Sequence, residues 1–183
     1  MDTIETKVIG GYQIDIFSDD DPVDPRMNDN LGTMVCFHIR YNLGDKHDFD
    51  KEEMMKIVKS PKNIVLPLYL YDHSGITMNT TGFSCPWDSG LVGWIFVEKS
   101  KIRSEFGWKR ITQKREKEIR KYLEDEVKEY DQYLTGDVYG YRITNSITEE
   151  EIDSSWGHYG VNNCIKEAES VVNQFITEDE SKP

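Results

Sequence analysis

Two apolar runs, Ile64–Tyr71 and Leu91–Val97, constrain this chain more than any other feature. The 33 residues from 65 to 97 hold only two charged side chains, Asp72 and Asp88, in a chain that is 31% charged. A stretch so depleted in charge is either the centre of a core or the lining of a site. Apolar runs of this length bounded by turn residues read as central strands. Pro67 is an objection, because it removes a ladder donor and favours an edge or a bulge. Between the runs, Gly75–Thr80 suits a short antiparallel return strand. Asp72, His73, Ser84, Cys85, Trp87, Asp88 and Ser89 crowd the loops around it.

The remaining elements follow from periodicity and caps. Lys7–Phe17 alternates in part and reads as a first strand, with Gly10-Gly11 as a bulge or turn. Ser18–Asn30, with five aspartates and two prolines, reads as an exposed acidic loop. Leu31–Tyr41 is predicted as a second strand with Val35, Phe37 and Ile39 on one face, paired to the first in a long-looped hairpin. Asp50 is a good N-cap for a helix over Lys51–Lys59, with Glu53 at the third helical position completing a capping box. Ser100 starts a short helix ended by Gly107, and Trp108–Leu134 holds the longest helical signal. Val138–Thr144 is a strand, Ser146–Ser155 an acidic loop or edge, Trp156–Gly160 a turn, and Val161–Ile176 an amphipathic helix. This order predicts one α+β domain over residues 1–177: a mainly antiparallel sheet, one long helix and two or three shorter ones. A disordered tail is expected over 178–183.

At 183 residues the chain can bury a proper core, and its 21 aromatics argue against global disorder. No apolar run reaches the ~20 residues that span a bilayer, and MDTIETK carries no signal-peptide pattern. The three cysteines, Cys36, Cys85 and Cys164, suit reduced thiols in a cytosolic protein. Net charge is −12, distributed as −6 over residues 1–60, −1 over 61–97, +2 over 98–134 and −7 over 135–183. Such a surface repels nucleic acid and is attracted to basic surfaces, including those that hold nucleic acid. It also serves solubility without any partner. Within the long helical segment, Lys99–Lys121 has ten bases against three acids, and Tyr122–Leu134 five acids against one base. That arrangement opposes the helix dipole.

Three kinds of chemistry can be drawn from these residues. A Cys/His enzyme would use Cys85 as nucleophile, His73 as base and Asp72 or Asp88 as orienter. Pro86 denies that loop one backbone N–H, and no nucleophile-elbow spacing occurs. Direct nucleic-acid binding would use Lys109, Arg110, Lys114 and Arg115 beside Trp108. A binding protein that fills a basic groove would use Asp19, Asp20, Asp21, Asp24 and Asp29 with Glu149, Glu150, Glu151 and Asp153. Neither metal nor cofactor is expected. His38, His47, His73 and His158 and the cysteines never fall at ligand spacing, although Cys36 and His38 share a predicted strand face. No phosphate-binding glycine loop occurs.

The strings YDHSG (Tyr71–Gly75), FSCPWDSG (Phe83–Gly90), YDQYLTGDVYGY (Tyr130–Tyr141) and SSWGHYG (residues 154–160) resemble a group of small acidic proteins from phages and mobile elements of gut Firmicutes. In length and acidity the chain is similar to type II-A anti-CRISPR proteins that inhibit Cas9. The resemblance implies a protein of the bacterial host cytoplasm that binds the Cas9–guide RNA complex and impairs target DNA binding or cleavage. It assigns no catalytic residue. With it, the acidic clusters become the expected partner-binding residues, and residues 65–97 the scaffold.

Overall fold

The computed structural model describes residues 2–180. In chain order its elements are β1 (Thr3–Ile9), β2 (Tyr12–Ser18), β3 (Thr33–Cys36), α1 (Lys51–Lys59), β4 (Asn63–Asp72), β5 (Ile76–Asn79), β6 (Ser89–Glu98), α2 (Lys99–Phe106), α3 (Gln113–Thr135), β7 (Val138–Asn145), β8 (Glu151–Tyr159) and α4 (Val161–Glu180). The class is α+β and every strand pairing is antiparallel, as the element order predicts. The strands divide between two four-stranded sheets, β1-β2-β7-β8 and β3-β6-β4-β5. Two compact units result, Met1–Val23 with Gly136–Pro183, and Asp24–Thr135. Among the described residues no helix is long and apolar enough to cross a membrane.

The charge-poor runs are the two inner strands of the sheet in Asp24–Thr135. On β4 the alternate residues Ile64, Leu66, Leu68 and Leu70 are buried, and with Ile95 and Val97 of β6 they meet Ile119, Leu123, Val127 and Tyr130 of α3. Each fully buried aliphatic side chain contributes about 1.5–3 kcal/mol. The opposite face carries Val35, Phe96 and Trp94 against Met54, Ile57 and Val58 of α1. Pro67 lies in the inner strand β4, opposite Trp94, and the β4–β6 register shifts immediately beyond it, between Leu68 and Tyr69. β5 pairs with β4 only from Tyr69 onward, so at Pro67 the side of β4 away from β6 has no strand among the described residues, and a residue without an N–H is tolerated there.

Local signals at the helix ends act as the sequence predicts. Asp50 accepts from the Glu53 N–H at 2.8 Å, and Glu53 accepts from the Asp50 N–H at 3.0 Å, closing the capping box of α1. Gly107 ends α2 in the left-handed conformation, φ 63°. Residues 108–112 are not helical, so α3 starts later than its apolar periodicity suggests. There the Trp108 ring lies between Phe106, 4.7 Å between centroids, and the Arg115 guanidinium, 4.4 Å from the ring centre.

Several expectations are overturned by pairing. Residues 7–17 are parts of two strands, because Gly10 and Gly11, φ 56° and 88°, form a two-residue hairpin turn that needs positive φ at both positions. The partner of β2 on its other side is β7, and β3 pairs with β6, so the long-looped hairpin does not form. The second strand stops at Cys36. The His38 imidazole accepts from the N–H groups of Arg40 and Tyr41 at 3.3 and 3.2 Å, turning the chain away and leaving Ile39 fully exposed. Within the acidic loop, Pro25–Met27 forms a single 3-10 turn capped by Asp24.

In the other unit, α4 covers one face of its sheet. Cys164, Ala168 and Val172 pack on Ile14, Ile16, Tyr141 and Ile143. The segment Trp156–Tyr159, expected as a turn, is part of edge strand β8. A Cβ on Gly140 would meet the Trp156 ring at 2.2 Å, so the glycine is the seat of that indole. Helix α4 reaches Glu180, beyond the predicted start of the tail; residues 181–183 lie outside the described residues.

Candidate functional site

The loop between β5 and β6 brings Cys85 and Asp88 to His73 of the β4–β5 turn, but in an order unlike a catalytic triad. The Cys85 thiol is 3.6 Å from Asp88 Oδ2, and His73 Nδ1 is 3.3 Å from that same oxygen. The carboxylate, rather than the imidazole, lies against the sulfur. A nucleophile needs its base in that place. Asp72 is engaged elsewhere, in an ion pair with Arg40 and within 3.4 Å of the Tyr41 hydroxyl. Trp87, at the tip of the loop, is 91% exposed.

Cys36 and His38 do not form a ligand pair. Cys36 is buried, with its carbonyl 3.0 Å from His47 Nε2, while His38 caps its own turn. They line a cleft of about 460 Å³ with Asp24, Asp45 and His47. Among the described residues no group of three or more His, Cys, Asp or Glu could hold a metal ion.

The basic segment is partly neutralised within its own unit. Arg115 donates to the Arg110 carbonyl at 2.9 Å, Lys99 is 3.7 Å and Arg120 3.2 Å from Glu116, and Lys121 pairs with Asp125 at 2.7 Å. Lys109, Arg110 and Lys114 are exposed. A cleft of about 810 Å³ in the same unit is lined by Lys56, Lys62, Lys99 and Arg103, with Glu98 the one acid among the described residues.

The acidic residues sort into two structural kinds. At one end of the sheet β1-β2-β7-β8, Asp19 follows β2: its N–H donates to the Val138 carbonyl at 2.9 Å and its carboxylate accepts from Gly157 N–H at 3.1 Å and Asp21 N–H at 3.2 Å. Asp20 and Asp21 extend from that anchored point and are exposed. At the other end the β7–β8 turn carries Glu149 and Glu150, and Glu151 opens β8, all exposed. Asn145 shapes this turn by accepting from the N–H groups of Ile147 and Thr148, and Glu149 takes a left-handed φ of 59°. Ser146 ties it to the Gly11 carbonyl at 2.8 Å. The seven residues of β2 therefore hold the two clusters about 20 Å apart.

Other acids on the expected surface are occupied in the fold. Asp153 accepts from the Tyr141 hydroxyl at 3.0 Å, and burial, then the bond and charge of Asp153, push that phenol up to about 12. Asp24 caps the 3-10 turn through Arg26 N–H at 2.8 Å, and both Asp24 and the exposed Asp29 belong to the unit Asp24–Thr135.

Grouping by unit exposes a charge division that linear segments conceal. Met1–Val23 with Gly136–Pro183 carries 16 acids and 4 bases, net −12, whereas Asp24–Thr135 carries 18 of each. The whole net charge of the protein resides in one unit. Counting residues 1–60 together mixes parts of both, which is why the sequence alone does not display it.

Compared with known proteins, the chain matches no family model, no curated protein and no solved structure.

Proposed function

We propose that this is a binding protein whose acidic unit docks into a basic groove that ordinarily holds nucleic acid, with the Cas9–guide RNA complex in a bacterial host cytoplasm as its target. Bound there, it inhibits target DNA binding or cleavage. The observation that carries this reading is the confinement of the net −12 to one unit, with exposed acidic residues on segments anchored by the Asp19 and Asn145 side chains at the two ends of one sheet. Acidic residues on anchored backbone lose less freedom on binding than those on a flexible tail. Cas9 keeps its heteroduplex in a positively charged channel, a surface of opposite sign. The placement of Asp88 against Cys85 supports a role without covalent catalysis.

The test is a Cas9 cleavage assay across a salt series with the variant Asp20→Asn, Asp21→Asn, Glu149→Gln, Glu150→Gln, Glu151→Gln. Asp19 is kept because it holds Gly157 in place. Wild type inhibits, and its potency falls steeply with salt. The variant, folded by circular dichroism, loses at least about tenfold in potency and much of the salt dependence. Unchanged inhibition with an unchanged salt slope overturns the reading.

A second reading, a nucleic-acid-binding accessory protein acting through Lys109, Arg110, Lys114 and Arg115, is favoured by the exposure of Lys109, Arg110 and Lys114. It requires that the free protein bind an oligonucleotide and that Lys109→Ala with Arg110→Ala weaken that binding. The docking reading requires neither.

A further inference from the structure

Strand β1 has β2 on one side and, among the described residues, no strand on the other, and the side chains of residues 3–8 are all exposed. Open edges are templates for a further strand, and proteins ordinarily blunt them with bulges, prolines or isolated lysines. The opposite edge, β8, is blunted in this way: its pairing shifts register twice and Gly157 takes φ 81°. Along β1 the pairing runs without a shift from Glu5 to Ile9, the one irregularity lying between Thr3 and Glu5. The two half-exposed aliphatics of this edge are Ile4, 52% exposed, and Val8, 59% exposed.

The order of residues here is self-complementary. Ile4-Glu5-Thr6-Lys7-Val8 runs aliphatic, acid, threonine, base, aliphatic. If two copies of β1 lie antiparallel about a two-fold axis through Thr6, Glu5 of one stands opposite Lys7 of the other, twice. Ile4 lies at the register shift, outside the regular stretch, so the charge pairs carry the complementarity. Directly opposed charges of unlike sign stabilise an antiparallel ladder. The axis is perpendicular to the sheet, so the two sheets join into one of eight strands with both α4 helices on the same face. Glu5 has no side-chain partner among the described residues, whereas Lys7 reaches Glu169 in an exposed pair that contributes little.

We infer that β1 is a homodimerisation edge, where a second copy of this chain adds its own β1 in antiparallel register centred on Thr6. Such an interface is isologous and closes at two subunits, which a β1-to-β8 pairing would not do. Glu5 and Lys7 lie outside both acidic clusters, so the inference stands apart from the docking reading.

The experiment is sedimentation equilibrium of the full-length protein over a wide concentration range, with the variants Glu5→Lys and Lys7→Glu. Wild type is expected to show a monomer–dimer equilibrium with no larger species. Glu5→Lys places lysine opposite Lys7 at both pairs, and Lys7→Glu places glutamate opposite Glu5, so each alone weakens the dimer about tenfold or more. An equimolar mixture of the two variants restores unlike charges at both pairs and returns the dimer toward wild-type strength. Restoration by mixing separates pairing from misfolding, since an unfolded chain is not rescued by another. A monomer at every attainable concentration, a dimer indifferent to Glu5→Lys, a mixture no better than its components, or open-ended polymers would each overturn the inference.

Discussion

Arg26 and Glu126 lie 100 positions apart in sequence, yet their side chains meet at 3.0 Å. The guanidinium is 3% exposed; its other nitrogens reach both oxygens of Asp45, at 2.8 and 2.9 Å, and the Gly32 carbonyl at 2.7 Å. Glu126 in turn accepts from the N–H groups of Leu31 and Gly32, and Asp45 from that of Met34. Burial by itself would lower the guanidinium pKa. The bonds and charges of Asp45 and Glu126 outweigh it and raise the value. One arginine thereby pins the acidic loop to α3 and to the start of β3.

Removing that arginine leaves two carboxylates without their counter-charge. Arg26→Ala is expected to cost about 3–5 kcal/mol in urea unfolding, as for other broken buried pairs. Arg26→Lys, which keeps the charge but not the fork, should fall between it and wild type. A loss within ~0.5 kcal/mol, the range of ordinary surface substitutions, would contradict the buried-hub account.

Gly93 sits where β3 crosses closest to β6. A Cβ there would lie 2.0 Å from the Val35 carbonyl oxygen and 2.8 Å from Cys36 Cα, both backbone atoms that cannot swing aside. Gly93→Ala should therefore cost roughly 1–3 kcal/mol or more in thermal unfolding. Gly90, on the same strand with nothing within 4 Å of its would-be Cβ, is the control and should tolerate alanine.

The three thiols should separate cleanly under a thiol reagent. Burial and, next, the charge of Asp45, opposed by Arg26, push Cys36 up to about 12, and burial pushes Cys164 up to about 11. The reactive species is the thiolate, so neither should react in the native protein at neutral pH. Cys85 is partly exposed. One thiol is expected to titrate in the fold and three in denaturant, and Cys85→Ser should abolish the native reaction. A second fast thiol would refute the packing assigned to Cys36 or Cys164.

Where the signals are local, the sequence is sufficient. Asp50 and Glu53 specify the start of α1 because the capping box closes within three residues. Gly107 specifies the end of α2 for the same reason. The near-continuous apolar run Ile64–Tyr71 specifies a central strand, and the structure buries four of its aliphatics, Ile64, Leu66, Leu68 and Leu70, in the core. Pairing was not legible: β2 and β3 are neighbours in sequence, yet they belong to different sheets. Strand pattern records which face is buried and carries little about which partner buries it.

The candidate sites divide along the same line. Residue types alone marked Asp72, His73, Cys85 and Asp88 as a possible reactive group, but their order in space depends on Arg40 capturing Asp72 and leaving Asp88 between thiol and imidazole. Nor could the acidic residues be sorted from the sequence into free clusters, caps such as Asp24 and buried partners such as Asp45. Composition determined the net charge of −12, and local patterning determined most of the helices and strands. Only the tertiary structure placed all of that charge in one unit, because that unit is assembled from the two ends of the chain and its acids become neighbours only when β2 pairs with β7.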